Sequence, residues 1–419
     1  MHDPIQTERS VRLDALAEID PEALRESTSP RYKFKYVDIS CASNGKLTLP
    51  SDFIEFADAP SRARKIVRDG DVIVSTVRPN LKAFAFCRLA DGPYIASTGF
   101  AVLRARESVD AYFLLSALLS DDLSKQIESH AVGSNYPAIN SSDIRRLQVP
   151  AFDSKTQRAI GIVLATIDTA IEQTEALIEK YQHIKAGLMH DLFTRGVLPN
   201  GQLRPPRKQA PELYKETAIG WIPREWQFGT LERFADVQNN LRKPLAYEVR
   251  EGMKGEYPYY GPTGILDYLN EYLVDGEFCL IGEDGDHFLK FQEWSMTQLV
   301  SGRFNVNNHA HLLKGKNRAS TQWLRHFFKH RDITFHLTRQ GAGRYKLNKR
   351  ALLCLPIGVP ADFEQREISQ RLDLVEESLL SQKAVMAKTR RQKLGLMQDL
   401  LTGKVAVMVD AQALEVTGG

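Results

Sequence analysis

Two short stretches hold residue types that could do chemistry. His309-Ala-His311 has the two-residue spacing of a strand, which sets both imidazoles on one face as a pair of metal ligands would require. No carboxylate or cysteine set accompanies them in the sequence, so the spacing reads as a structural strand. Glu283-Asp284-Gly285-Asp286 has the charge of a cation loop but lacks the spaced D-x-D-x-D-G and distal Glu of a calcium site. It reads as a turn at a binding face or as a helix cap. The chain carries no GxxxxGK[ST] phosphate loop, no GxGxxG between strand and helix, and no NPPY or DPPY stretch of the kind amino-methyltransferases use. Cys41, Cys87, Cys279 and Cys354 are scattered without a CxxC pair, which suggests neither a disulfide framework nor a zinc site. A non-catalytic, metal-free chain is expected.

What remains is a question of architecture. The chain has 419 residues, 43% hydrophobic and 26% charged, enough for two or more cores. No apolar run approaches the about 20 residues that span a bilayer, and the start, MHDPIQTERS, lacks the layout of a signal peptide. A cytoplasmic protein without membrane contact is expected. A net charge of +3 is compatible with a nucleic-acid partner without arguing for one.

The strongest signal is a duplication. GLMHDLFTRGV (187–197) returns as GLMQDLLTGKV (395–405), and Lys393 minus Lys185, Gln365 minus Gln157 and Asn348 minus Asn140 all give 208. Ser154-Lys-Thr-Gln157 and Asp362-Phe-Glu-Gln365 both match a capping box, with Ser154 and Asp362 as N-caps, so each copy opens a helix. Ile160, Leu164, Ile167, Ile171, Ile178 and Tyr181 form one stripe; Ile368, Leu372, Val375, Leu379 and Met386 form the other. The 3.5-residue period with shared polar breaks at Thr174/Gln382 and Lys185/Lys393 is that of a coiled coil. Gly196 and Gly403 suit left-handed caps. Each helix should run about 40 residues, roughly 60 Å. The alternating order of head, helix, head, helix predicts antiparallel pairing about a pseudo-twofold near Thr174 and Gln382. Expected boundaries are a first head at 1–152, a first helix at 153–197, a second head at 198–361 entered through a proline-rich linker at 198–217, and a second helix with tail at 362–419.

Both heads are rich in β-like stretches: DVIVSTV (71–77), AFAFCRL (83–89), EFCLIG (277–282) and HAHLLK (309–314). Short helical segments lie between them. The expected fold class is α+β, with two pseudo-repeated β-rich domains joined by two long helices in an antiparallel coiled coil. Heads of one architecture and different surface suit a reader of two different half-sites.

The chain resembles the specificity subunit of type I restriction-modification enzymes over essentially its full length. The resemblance rests on AIGWIPREW (218–226), YPYYGPTGILDYLNEYLVDGEFCLIGEDG (257–285), VNNHAHLL (306–313), LNKRALLCLPIGVP (347–360), GDVIVSTVRPN (70–80), GSNYPAINSSDIRRLQVP (133–150) and the duplicated GLMxDLxT. The first half lacks the GWxPxxW entry. The resemblance implies two target-recognition domains reading a bipartite, asymmetric site in double-stranded DNA, with a helical pair that sets their spacing. It also implies modification subunits, two of them expected, and restriction subunits that carry the chemistry with S-adenosylmethionine, ATP and Mg. A helical scaffold or adaptor and the DNA-reading part of a fused methyltransferase are the alternatives. The heads leave no room for the cofactor domain of the latter.

Contacts to DNA should combine Arg and Lys on phosphates with polar side chains on base edges, presented from loops on a rigid sheet. In the first head these are Arg78, Asn80 and Lys82, with Ser134, Asn135 and Tyr136. In the second they are Lys290, Arg303, Asn305 and Asn307, with Arg339, Gln340, Arg344, Tyr345 and Lys346. A solvated surface charge is the competing reading of each. At the helix ends Leu188, Met189, Leu192 and Phe193, like Leu396, Met397, Leu400 and Leu401, make the stripe wider than one partner helix needs. Packing beneath a head and docking of a partner subunit are both open readings of that face. Asp191 and Asp399, in last turns, should have specific donors.

Overall fold

The two stripes become two long helices, Ser154–Thr194 of 41 residues and Asp362–Leu401 of 40. In this computed structural model the described residues are 10–133, 137–340 and 344–407. The chain divides into two compact units, Met1–Ala176 with Lys383–Gly419, and Leu177–Gln382. Each therefore holds one head and one segment of each long helix. The divisions fall within a few residues of the expected pseudo-twofold.

Within each unit the helices run antiparallel. In the first, Asp168 pairs with Lys393 at 2.6 Å and Glu175 with Arg390 at 2.6 Å, so one partner number rises as the other falls. In the second, Lys185 pairs with Glu376 at 3.0 Å, and Glu364 accepts from the Val197 amide at 2.7 Å. Asp168 and Glu376, like Lys185 and Lys393, stand at the offset of the duplication, so the lysines read as polar breaks belong to two copies of one acid–base slot. Their apolar neighbours Ile160, Leu164, Ile171 and Ile178 are buried, as are Ile368, Leu372 and Leu379.

The helix starts depart from the expected capping boxes. The first N-cap is Asp153 rather than Ser154: its Oδ1 accepts from the Thr156 amide at 2.7 Å. The second helix follows Ala361, whose carbonyl receives the amides of Glu364 and Gln365 and whose side chain can cap nothing. The two glutamines are buried and serve another purpose. Gln157 Nε2 donates to the Phe152 carbonyl at 2.8 Å and Gln365 Nε2 to the Pro360 carbonyl at 2.9 Å. Each Oε1 accepts an amide from the residue that caps a helix of its own head, Asp110 at 3.4 Å and Ser320 at 2.9 Å. A buried carboxamide needs partners at both ends, and here those partners tie head to helix.

The heads share one topology. The first has an antiparallel sheet in the order Ala17–Ile19, Phe100–Ala105, Val72–Ser75, Phe84–Phe86. Its second sheet orders Phe53–Glu55, Lys33–Val37, Tyr94–Ser97, Ala63–Val67, with the middle pair parallel. The other unit repeats this with Ala235–Val237, Ala310–Gly315, Phe278–Gly282, Thr297–Val300, and with Ile265–Leu269, Lys254–Tyr260, Arg303–Val306, Val274–Asp275, again parallel only in the middle. Central strands such as VIVS and FCLIG are buried at every position because both faces are covered.

The linker expected at 198–217 is packed rather than solvated. Arg204 is buried and pairs with Glu364 at 2.5 Å and with Glu225 at 2.8 Å. Tyr214–Thr217 then forms a two-stranded ribbon with Gly220–Pro223. Gly196 takes φ +62°, and a Cβ there would lie 2.1 Å from Glu364 Oε1 and 2.6 Å from Arg204 Nη1, so the turn after the helix and the ion pair both exclude a side chain.

Candidate nucleic-acid interface

In both heads the central strand of the first sheet, Val72–Ser75 or Phe278–Gly282, ends in a tight turn held against a second loop by matching backbone bonds. The Thr76 amide donates to the Gly99 carbonyl and the Glu283 amide to the His309 carbonyl, each at 2.8 Å. Ile139 N donates to Thr76 O at 2.9 Å, and Leu347 N to Glu283 O at 2.7 Å. Arg78 N reaches Pro137 O at 2.7 Å, and Gly285 N reaches Tyr345 O at 3.2 Å. Arg78 and Gly285 both have positive φ, +48° and +131°, so the chain reverses at the same place in both heads. A 3-10 turn follows in each, Pro79–Leu81 or Asp286–Lys290. The framework is shared; the side chains on it are not.

Arg78 and Asn80 are exposed on the first of these turns. Lys82 is half-buried, and its Nζ donates to the Leu119 carbonyl at 2.9 Å, capping the end of the helix Ala111–Leu119. Ser134, Asn135 and Tyr136 lie outside the described residues.

In the second head Lys290 is exposed on its turn. Arg339 is exposed and donates to the Tyr345 hydroxyl at 2.7 Å, with its guanidinium 5.0 Å from the ring centroid. Lys346 lies 3.4 Å from Glu283. These belong to the same pair of loops. The side chains of Gln340 and Arg344 are outside the described set. Asn305 and Asn307 are corrected to structural roles, because both are buried: Asn305 Nδ2 donates to the Glu271 carbonyl at 2.7 Å, and Asn307 Oδ1 accepts the His309 amide at 2.9 Å. Arg303 is exposed but on the second sheet, stacked on Tyr272 and 3.4 Å from Asp275.

The carboxylates of the acidic turn have partners within the head. Glu283 is bound by Arg242 at 2.5 Å, and Asp284 lies 2.8 Å from His309 Nδ1. His311 Nε2 donates to the Leu347 carbonyl at 2.7 Å while its Nδ1 accepts from Asn239 Nδ2 at 2.8 Å, which fixes a neutral tautomer; burial lowers its pKa further. Both ring nitrogens of His311 are engaged, so it braces the strand Ala310–Gly315, while His309 sits in the turn before it. Among the described residues no group of three or more metal-ligating side chains converges.

The helix-end side chains are covered by the head of their own unit. Met397, Leu400 and Leu401 are buried in the first unit's core, with Leu396 packed against it. Leu192 is buried in the second unit's core, with Leu188, Met189 and Phe193 against it, and Phe193 stacks on Trp323 at 5.6 Å. All eight side chains thus pack against the head of their own unit, with Leu188, Met189, Phe193 and Leu396 left half-buried. Asp191 and Asp399 have donors in Arg195 at 3.2 Å and Lys404 at 3.4 Å.

The sequence singles out both turns through Arg78, Asn80, Lys82 and Lys290 but not the leucines on them, Leu81 and Leu289, each of which directly precedes a lysine.

A putative type I restriction enzyme specificity subunit of Haemophilus influenzae is 37% identical over 39% of this chain and 38% of its own length. The putative MjaX specificity subunit of Methanocaldococcus jannaschii is 24% identical over 72% of this chain and 70% of its own length. The crystal structure of the type I restriction-modification S subunit from M. genitalium shares the fold, with TM-score 0.65 and 17% identity over 98% of this chain and 99% of that one. The model of the type I restriction modification DNA specificity domain matches twice, at residues 11–181 and 223–385, and the chain belongs to that family.

Proposed function

We propose that this chain is the DNA-recognition subunit of a type I restriction-modification complex, with each head reading one half of a bipartite, asymmetric site in double-stranded DNA. The observation that carries this reading is the repeated turn-and-loop framework bearing different side chains: Arg78 and Asn80 in one head, Lys290, Arg339 and Tyr345 in the other. One framework positions the backbone, and two side-chain sets read different bases. The long helices set the half-site spacing, since each residue adds about 1.5 Å and half-sites on one face of B-DNA recur every about 34–36 Å. Modification and restriction subunits supply the methyl transfer, translocation and cleavage, with S-adenosylmethionine, ATP and Mg bound on them and the whole complex in the cytoplasm. Among the described residues no helix is long and apolar enough to cross a membrane. Methylome sequencing of the host with and without the gene tests this directly. A bipartite adenine motif should disappear on deletion; an unchanged methylome refutes the reading.

A further inference from the structure

Leu81 and Leu289 are apolar, exposed and carried on turns anchored by hydrogen bonds. Leu81 is 62% exposed and Leu289 52% exposed, each in the 3-10 turn that follows the equivalent strand of its head. The turn of Leu81 is fixed on every side: Arg78 N binds Pro137 O, Lys82 Nζ binds Leu119 O, and Asn44 N binds Lys82 O at 2.9 Å. Both ends of that turn, Arg78 and Lys82, are left-handed. Leu289 follows Phe288 and His287, both buried, which anchor its turn from below, and Trp294 N closes on Lys290 O at 2.8 Å. A leucine that merely lacked a place in the core would not need such anchoring. Counted from the matched positions Arg78 and Gly285, Leu81 is the third residue on and Leu289 the fourth, so each head presents an exposed leucine from this turn, one position apart.

We propose that Leu81 and Leu289 are the wedges of the two heads, each inserting at a base step of its own half-site and partly unstacking it. This rests on the DNA-reading function proposed above. A short branched side chain on a turn too stiff to recoil suits that contact: apolar residues driven between base pairs unstack them and bend the duplex, and the site is then also read through its deformability. The polar groups beside each leucine fit the same partner, with Arg78 and Asn80 preceding Leu81 and Lys290 following Leu289.

The test uses the complex of this chain with its modification subunits, bound to duplexes carrying its methylome-defined site with 2-aminopurine placed in turn at each purine. The native complex should raise fluorescence at one step per half-site apart from the methylated adenine. Leu81→Ala should abolish the signal in the half-site of the first head only and weaken binding about tenfold, and Leu289→Ala should do the reverse. Leu81→Met, which keeps an apolar wedge, should retain the signal. Thermal melting unchanged from the native chain shows that an alanine variant is folded. Native signal and affinity in both alanine variants, or lost affinity with the unstacking signal intact, overturns the wedge. Failure of the native complex to select a bipartite site refutes the DNA-reading function itself.

Discussion

The two units carry the same acid–base slot in different surroundings. In the first, Asp168 is held by Lys393 and by the Tyr112 hydroxyl at 2.6 Å, and beside it opens a cavity of about 1340 Å³ lined also by Glu175, Arg390 and Lys46. In the second, the slot is closed over by the end of the helix Thr321–Phe328 and the residues after it. Arg325 binds Glu376 at 2.8 Å and Asp373 at 2.5 Å, Lys329 also binds Glu376, and His330 Nε2 lies 3.1 Å from Lys185 Nζ. Burial disfavours the Glu376 charge, yet Lys329 and Lys185 outweigh it and hold the carboxyl at about 2; burial pulls the Lys329 ammonium down to about 8. A duplicated pair is thus worth different amounts according to how much water reaches it.

Removing the acid should separate the units most clearly. Glu376→Gln leaves Lys185, Lys329 and Arg325 clustered with only Asp373 to balance them, a loss of about 3–5 kcal/mol for a buried network. Asp168→Asn keeps a hydrogen-bonding partner for Tyr112 and leaves Lys393 beside the open cavity, a loss of about 1 kcal/mol. All four tryptophans, at 221, 226, 294 and 323, belong to the second unit, so their fluorescence in urea follows that unit alone, while far-UV circular dichroism reports on both. Equal losses would break the contrast.

Acid should act next, and on the second unit. Burial lowers both His326 and His330 to about 4, so between pH 6.5 and 4 the unfolded chain binds protons that the folded one refuses. Stability falls as pH drops through that window, by on the order of 3 kcal/mol for His326. Glu376, depressed from 4.5, adds a further loss as pH falls from there toward 2. The tryptophan-monitored urea midpoint should decline between pH 6.5 and 4, and His326→Leu should flatten the decline. A midpoint independent of pH in the native chain would mean that these imidazoles stay hydrated.

Much of this was legible in the sequence. The offset of 208 and the apolar stripes predicted two helices of about 40 residues, because helical periodicity is a local property that repetition makes unmistakable, and the alternating order of heads and helices predicted their antiparallel pairing. The strands VIVS and FCLIG were equally plain. What could not be read was the partner of each polar residue. Asn305 and Asn307 look like base readers in VNNHAHLL until the fold buries them, and Lys82 looks like a phosphate contact until the Leu119 carbonyl arrives from elsewhere in the chain. Likewise the width of the stripe at Met189 and Phe193 showed that something covers it, but only tertiary packing identifies the cover as Trp323 and Phe327.

The smallest difference between the units lies at the helix starts, where the repeat kept the glutamine and not the cap. Asp153 satisfies the Thr156 amide, so Asp153→Ala should cost the first unit about 1 kcal/mol. Ala361 offers its helix only a carbonyl, and Ala361→Ser supplies the missing side-chain acceptor without adding bulk at an exposed position. The second unit should gain up to about 1 kcal/mol, seen as a higher urea midpoint in tryptophan fluorescence. Should the midpoint stay where it is, the amides at the start of the second helix are already satisfied, and the two helix starts are equivalent after all.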